Sequence, residues 1–401
     1  AGDAWMGGVV GYVAGNGTVL RATAAGNLNS AGSDIIGGLF GGMQRGTIDN
    51  STFAGDIYSI DDTNHTLRNS IGGLIGVQNN TAGITITSSH ARGAYDSTTG
   101  LYTRGKITTE AQQVGGLIGV MDRTNTLSDV SADFDITGTN IYVGGLVGYA
   151  DRNNTFTNAT AKGSMTLNTA TQRIGGILGY SEQGPTNFTN VTADMTLTIT
   201  AGTPNYLGGI VGQLTGASTM NTVTSNMNLP TGGTGVGGIV GTGNTPLNMT
   251  NVSHTNAGAI TGTTNVGGIV GNAGSTVTIN GATTAAVSVT GTTGGNVGGI
   301  IGAAGSTISI TNAPSAATIV GNGNNVGGII GSSSDDVTVT TSNWTGASLT
   351  TTGERAGGIV GSARDRSSVT SLHTTGNVTA SGNYVGGILG YQRYVSTFNN
   401  V

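Results

Sequence analysis

Val266-Gly267-Gly268-Ile269-Val270-Gly271 decides the fold, because its five-residue core, Gly-Gly-[Ile/Leu/Val]-[Val/Ile/Leu/Phe]-Gly, occurs thirteen times. The first glycine of each copy is Gly7, Gly37, Gly72, Gly115, Gly144, Gly175, Gly208, Gly237, Gly267, Gly298, Gly327, Gly357 and Gly386. Successive steps are 30, 35, 43, 29, 31, 33, 29, 30, 31, 29, 30 and 29 residues. The residue before each core is apolar in every copy, as at Val143, Ile174, Leu207 and Val385. A mark that returns at a nearly fixed interval over the whole chain is the signature of stacked repeats.

A second mark follows each core. Eight residues after its last glycine stands Val19, Ile84, Leu127, Phe156, Met220, Met249, Ile279, Ile310, Val339, Val369 or Phe398, and Ile48 and Phe188 miss by one place. Polar and apolar residues alternate around it, as in Thr276-Val277-Thr278-Ile279-Asn280. Period two means a strand with one buried face. A third short strand precedes the next core, as in Ala286-Val287-Ser288-Val289-Thr290. No helical stripe is present, and no stretch between cores can hold a crossover helix. Three short strands cannot bury a core alone, but stacked coils can. The expected fold is all-β: a β-solenoid of about thirteen three-stranded coils of roughly 30 residues. At roughly 4.7–4.9 Å per coil it would be a rod about 60 Å long. Residues 1–401 read as one continuous domain, with larger insertions within 42–71 and 77–114.

Composition agrees. Glycine supplies 74 of 401 residues, serine and threonine 97, and asparagine 37. Charged residues make up 8% and cysteine is absent, which excludes a disulfide scaffold and a thiolate metal site. With 5 prolines and no three-residue glycine period the chain is not collagen. The net charge is −5 and no basic run exists to follow nucleic acid. No apolar stretch approaches the roughly 18 residues of a membrane span.

The cores resemble the GLUG motif, a short glycine-rich repeat of bacterial surface proteins, as in Gly72-Gly73-Leu74-Ile75-Gly76. The resemblance runs through all thirteen cores. It implies an extracellular repeat protein and carries no catalytic residues. Some relatives are large adhesins or secreted proteases whose catalytic part lies outside the repeats.

Each core sets two apolar residues side by side. In a regular strand neighbours face opposite ways, so one residue of each pair would look outward. The outward ladder would then be Val9, Leu39, Leu74, Leu117, Leu146, Ile177, Ile210, Ile239, Ile269, Ile300, Ile329, Ile359 and Ile388, an apolar stripe of the kind that marks an interface. A bulge at the Gly-Gly pair would instead turn both residues inward. The 43-residue repeat holds the largest insert, and Arg92, Tyr95, Tyr102, Arg104 and Lys106 are its candidate contact residues. Twelve Asn-x-[Ser/Thr] sequons offer glycosylation sites at Asn16, Asn50, Asn64, Asn79, Asn153, Asn158, Asn187, Asn190, Asn248, Asn251, Asn343 and Asn377. Asp61-Asp62, Asp133, Asp135 and Asp335-Asp336 read as solvated turns rather than calcium ligands. His65, His90, His254 and His373 lie in separate coils, which does not suit zinc.

No coil offers an obvious carboxylate set for acid–base work, and no cofactor is expected. Between Met195 and Ser334 there is no Asp, Glu, Lys or Arg. A lone soluble protein keeps charge on its surface, so this stretch suggests a covered one. The chain reads as a non-catalytic subunit of an extracellular sheath, surface layer or filament, a homo-polymer. The alternatives are an adhesin stalk or module binding cell-surface polysaccharide or glycan, and an ice-binding protein carrying Thr-x-Thr pairs such as Thr85/Thr87, Thr276/Thr278 and Thr338/Thr340.

Overall fold

The computed structural model describes residues 5–30, 35–59, 69–79, 82–138, 141–168 and 172–401. They fall into two compact units, Ala1–Pro204 and Asn205–Val401. Every described element is a β-strand. In each unit a strand pairs in parallel with its equivalent one repeat later, so the chain is an all-β solenoid. Asn64, His65 and the Asp61-Asp62 pair lie outside the described residues.

The marks read from the sequence become stacked columns. In the first unit Ile71, Val114, Val143 and Ile174 align ahead of the cores. In the second, Met220, Met249, Ile279, Ile310, Val339, Val369 and Phe398 align behind them. The column behind the cores of the first unit runs Ile48, Ile86, Leu127, Phe156, Phe188, with the last two rings stacked at 5.0 Å. Ile84 is thus not the third-coil mark. Ile86 is, because the segment between Gln78 and the next strand is longer there. Ile48 and Phe188 belong to the column although their spacing differs by one.

The coil has more strand segments than expected, because the core supplies one on either side of its Gly-Gly bend. A second-unit coil runs Asn265–Gly267, Val270–Ala273, Val277–Thr284 and Ser288–Gly291. In the first unit the last two merge, as in Tyr142–Gly144, Val147–Ala150 and Asn154–Leu167. Within the third segment, or just past the end of the strand that begins it, one residue per coil is left-handed. These are Arg21, Asn50, Ser88, Asp129, Asn158 and Asn190 in the first unit, and Thr222, Asn251, Gly281, Asn312, Thr341, Ser371 and Asn400 in the second, at φ 46–78°. There the in–out alternation slips by one: Leu127 is buried, Ser128 and Asp129 are not, and Val130 is buried again. Asparagine tolerates this conformation better than most residues. It also stacks: Asn190 Nδ2 donates to Asn158 Oδ1 at 2.7 Å, and Asn158 Nδ2 to Asp129 Oδ1 at 2.8 Å.

The expected outward ladder is overturned. Leu39, Leu74, Leu117, Leu146 and Ile177 in the first unit, and Ile210, Ile239, Ile269, Ile300, Ile329 and Ile359 in the second, are all buried at 0% exposure. Only Val9 and Ile388, in the terminal coils, are not. The cause is the bulge. Ile269 N and Val270 N both donate to Ile300 O, at 3.0 and 2.9 Å, and Leu117 N and Ile118 N both donate to Leu146 O at 2.9 Å. Two successive N–H groups converging on one carbonyl break the alternation and turn both side chains inward. Each such burial contributes about 1.5–3 kcal/mol.

Candidate ligand-binding surface

The core folds back on itself. Tyr142 and Tyr149 are seven residues apart, which in a straight strand would span about 23 Å, yet their rings stack at 5.9 Å. Trp5 with Tyr12 (4.7 Å) and Tyr384 with Tyr391 (5.1 Å) repeat the arrangement. Glycine permits it. A Cβ added at Gly144 would stand 1.9 Å from Val147 O, and one at Gly148 would stand 2.6 Å from Val114 N. The strands entering and leaving the core therefore touch backbone to backbone. The residues two before and five after the first glycine meet at the mouth of this arch, and the residue seven after joins them. Stacking makes three columns of these mouth residues.

In the first unit the mouth is aromatic and rich in acceptors. A groove of about 400 Å³ is lined by Trp5, Ser70, Gln78, Gln113, Asp122, Tyr149 and Asp151 among others. Ser70 Oγ donates to Gln113 Oε1 at 3.0 Å. Gln78 is fully buried. Its Nε2 donates to the carbonyls of Gln44 (3.0 Å) and Ala82 (3.3 Å), and its Oε1 has no partner. Burial pushes the Asp151 carboxyl up from its ordinary value, with the Asp122 carboxylate adding to the rise and Arg152 opposing it. Arg152 lies 3.5 Å from Asp151, and Arg123 lies 3.7 Å from Asp122. Burial, then the hydrogen bond that its hydroxyl donates to Glu182, holds the Tyr149 phenol protonated far above its usual range. Arg173 lies over Tyr142 at 4.9 Å and Tyr180 at 4.2 Å.

Asp122, Asp151 and Glu182 all stand seven residues after a first glycine. Sequence reasoning missed this carboxylate column, and counting from each core would have found it. Flat rings beside carboxylate and amide acceptors can hold a hydroxyl-rich ligand.

In the second unit the mouth is a donor column. Asn296 Nδ2 donates to Asn265 Oδ1 at 2.8 Å, Asn325 Nδ2 to Asn296 Oδ1 at 2.7 Å, and Arg355 NH1 to Asn325 Oδ1 at 3.2 Å. Arg355 lies over Tyr391 at 4.6 Å.

The insert of the long repeat forms an antiparallel hairpin, Tyr95–Asp96 with Leu101–Tyr102. Arg92 packs over Tyr102 at 3.6 Å from the ring centre, and Tyr95 meets the same ring at 5.1 Å. Arg104 is held by Asp133 (2.8 Å) and Asp135 (3.5 Å), so these aspartates carry an ion pair. Lys106 is exposed, and its N–H donates to Asp56 Oδ1 at 2.9 Å. Asp336 is paired with Arg366 at 2.8 Å.

His90 is half-buried with Nδ1 2.8 Å from Ser131 Oγ, and His254 is buried. Among the described residues no three His, Asp or Glu side chains gather to hold a metal ion, and no helix is long and apolar enough to cross a membrane.

Of the sequons, Asn16, Asn50, Asn79, Asn153, Asn158, Asn190, Asn248, Asn251 and Asn377 are exposed, while Asn187 and Asn343 are half-buried. Asn50, Asn158, Asn190 and Asn251 are left-handed corners. There the sequon is the coil's own pattern: corner asparagine, inward residue, outward Ser or Thr.

No family model, no curated protein and no solved structure matches this chain.

Proposed function

We propose that the chain is a non-catalytic structural subunit of an extracellular assembly, a sheath, surface layer or filament, in which solenoids pack against one another. The observation that carries this reading is an uncharged outer sheet face in the second unit. Thr219, Asn248, Thr278 and Ser309 form one column, and Asn221, Thr250, Asn280 and Thr311 the next. A second copy can lie on such a face through hydroxyl and amide hydrogen bonds without stripping water from a charge. The surface of a protein that stays monomeric normally carries charged side chains, and these columns have none. The resemblance of the cores to GLUG repeats supports an extracellular setting, and the exposed sequons would suit a glycosylated surface.

Electron microscopy and sedimentation of the full chain test the reading. Ordered lateral or axial polymers are expected, and Thr250→Lys with Asn280→Lys should disperse lateral contacts while leaving the fold intact. Isolated single-chain particles at every concentration would overturn it.

The second reading is an adhesin stalk or glycan-binding surface module. Its support is the Trp5–Tyr149 groove with its carboxylate and amide acceptors. Ice binding draws less support. Thr338 and Thr340 align with Ser309 and Thr311, and through them with Thr278 and Asn280, so paired threonines do not persist along the face.

A further inference from the structure

We propose that the cleft formed by Arg355, Arg364 and Arg393 in the second unit binds the anionic groups of an acidic polysaccharide. The three residues occupy mouth positions. Arg355 stands two before the core at Gly357, Arg364 seven after Gly357, and Arg393 seven after Gly386. Folding brings them to one cleft of about 370 Å³, where Ser332, Ser362 and Tyr391 also line the walls.

No carboxylate lines this cleft. Glu354 takes one edge of Arg355 at 3.0 Å, and Asp336 is committed to Arg366 at 2.8 Å. Asp335 and Asp365 are close in sequence but do not line the cleft. The NH1 of Arg355 is taken by Asn325 and its Nε is buried, so the forks the cleft offers to a ligand are those of Arg364 and Arg393. The asparagines below add to the excess. The amide oxygens of Asn296 and Asn325 are consumed by the next coil, while each Nδ2 keeps a second N–H.

The guanidinium forks of Arg364 and Arg393, beside the cleft's hydroxyls and away from any lining carboxylate, select oxyanions, and the planar fork favours carboxylate, sulfate or phosphate esters. The donors recur once per coil, at about 4.7–4.9 Å, which suits a polymer with repeated anionic groups. The Tyr391 ring, already under Arg355 at 4.6 Å, offers a flat wall for a sugar ring. General attraction does not supply this binding, because the chain carries 19 acidic against 14 basic residues. The cleft is a local reversal of that balance. The inference does not depend on the structural role proposed above.

Calorimetric titration of the full chain with polygalacturonate, dextran sulfate and neutral dextran tests it. Binding to one or both polyanions is expected, weakening as salt rises, with no binding to neutral dextran. A carboxylate-only or sulfate-only response identifies the group recognised, and either supports the proposal. Arg364→Gln with Arg393→Gln should lower polyanion affinity by roughly 100-fold, about tenfold for each charge-assisted contact, at an unchanged thermal midpoint. Arg364→Lys with Arg393→Lys should fall between, since charge remains but the fork is lost. Arg45→Gln, on an exposed site in the first unit, should change nothing. Absence of polyanion binding at low salt, equal binding of neutral dextran, or undiminished binding by the glutamine double variant would overturn the proposal.

Discussion

His254 should make the second unit acid-sensitive, by an amount that follows from its surroundings. It occupies an inward column between Ser225 and Thr284 and is 1% exposed. Gly238 lies above it, so close that a Cβ there would stand 2.8 Å from the imidazole ring. Neither ring nitrogen makes a well-aligned hydrogen bond, and only the Gly238 backbone lies close enough to favour the charged ring. Burial pushes its pKa down to about 4 from 6.5, and the Gly238 backbone offsets only part of this.

The sign follows. Above pH 6.5 both folded and unfolded chains hold a neutral ring, and the group costs no stability. As pH falls through 6.5 the unfolded chain takes up a proton that the folded chain refuses, so stability declines. The decline ends near pH 4, where the folded state is protonated too. A shift of about 2.5 units at 1.36 kcal/mol each amounts to about 3 kcal/mol.

The assay is urea unfolding of the full chain and of His254→Thr at several pH values between 7.5 and 4. Threonine reproduces the neighbour Thr284 and does not titrate. The carboxylates and His90, whose pKa is lowered by burial and then by Arg92, act in both proteins and cancel in the difference. Relative to the variant, the wild type should lose about 3 kcal/mol across that range. A difference that stays constant with pH would refute the reasoning, whatever the variant costs at neutral pH.

The left-handed corners give a second prediction. Thr222 and Thr341 hold β-branched side chains at φ 55° and 49°, where a side chain costs about 1–2 kcal/mol. Thr341→Asn should therefore raise stability by about 1 kcal/mol, read as a higher thermal midpoint, while Thr340→Asn on the neighbouring strand residue should bring no gain. The arch gives a third. A Cβ at Gly328 would stand 2.1 Å from Gly358 O and 2.4 Å from Trp344 Cγ, both in the interior, whereas one at Gly294 meets nothing within 4 Å. Gly328→Ala should cost several kcal/mol and Gly294→Ala close to none, comparing denaturant midpoints; equal effects would contradict the packing described.

The solenoid was legible because its interior repeats one residue class per coil. An apolar residue before each core and another behind it can only line up if coils stack, and they do, from Ile71 through Ile174 and from Met220 through Phe398. Two features were hidden. The pair Ile269-Val270 fits a regular strand as well as a bulge, and only the shared acceptor at Ile300 decides between them. The slip at Asp129 is equally silent, because an aspartate between Ser128 and Val130 also fits a plain turn. The aligned carboxylates Asp122, Asp151 and Glu182 were present in the sequence at a constant distance from each core, but nothing marked that distance as meaningful until the arch brought residue two before and residue five after together.

That arch also explains where variation can accumulate. The first glycine of the cores at Gly37, Gly72, Gly115 and Gly144 in the first unit, and at Gly208, Gly237, Gly267, Gly298, Gly327 and Gly357 in the second, faces the backbone of its own arch and of the next coil, so nothing larger fits there. The second glycine faces a carbonyl of the next coil and also an inward side chain that differs from coil to coil: Ala161 against Gly145, His254 against Gly238, Trp344 against Gly328. Inward positions thus trade volume with one another and are limited by packing. Mouth positions are partnered from side chain to side chain along their columns, as in the ladder Asn265, Asn296, Asn325, Arg355, rather than packed against the interior. In the first unit they hold rings and carboxylates, and in the second, amides that give way to guanidinium groups. Backbone pairing is the same under all of them, so a change of chemistry there costs the coil little. A recognition function can therefore change along the mouth without change in the scaffold. It follows that binding variants at Arg364 and Arg393 should leave stability unchanged, whereas any side chain at Gly328 should lower it.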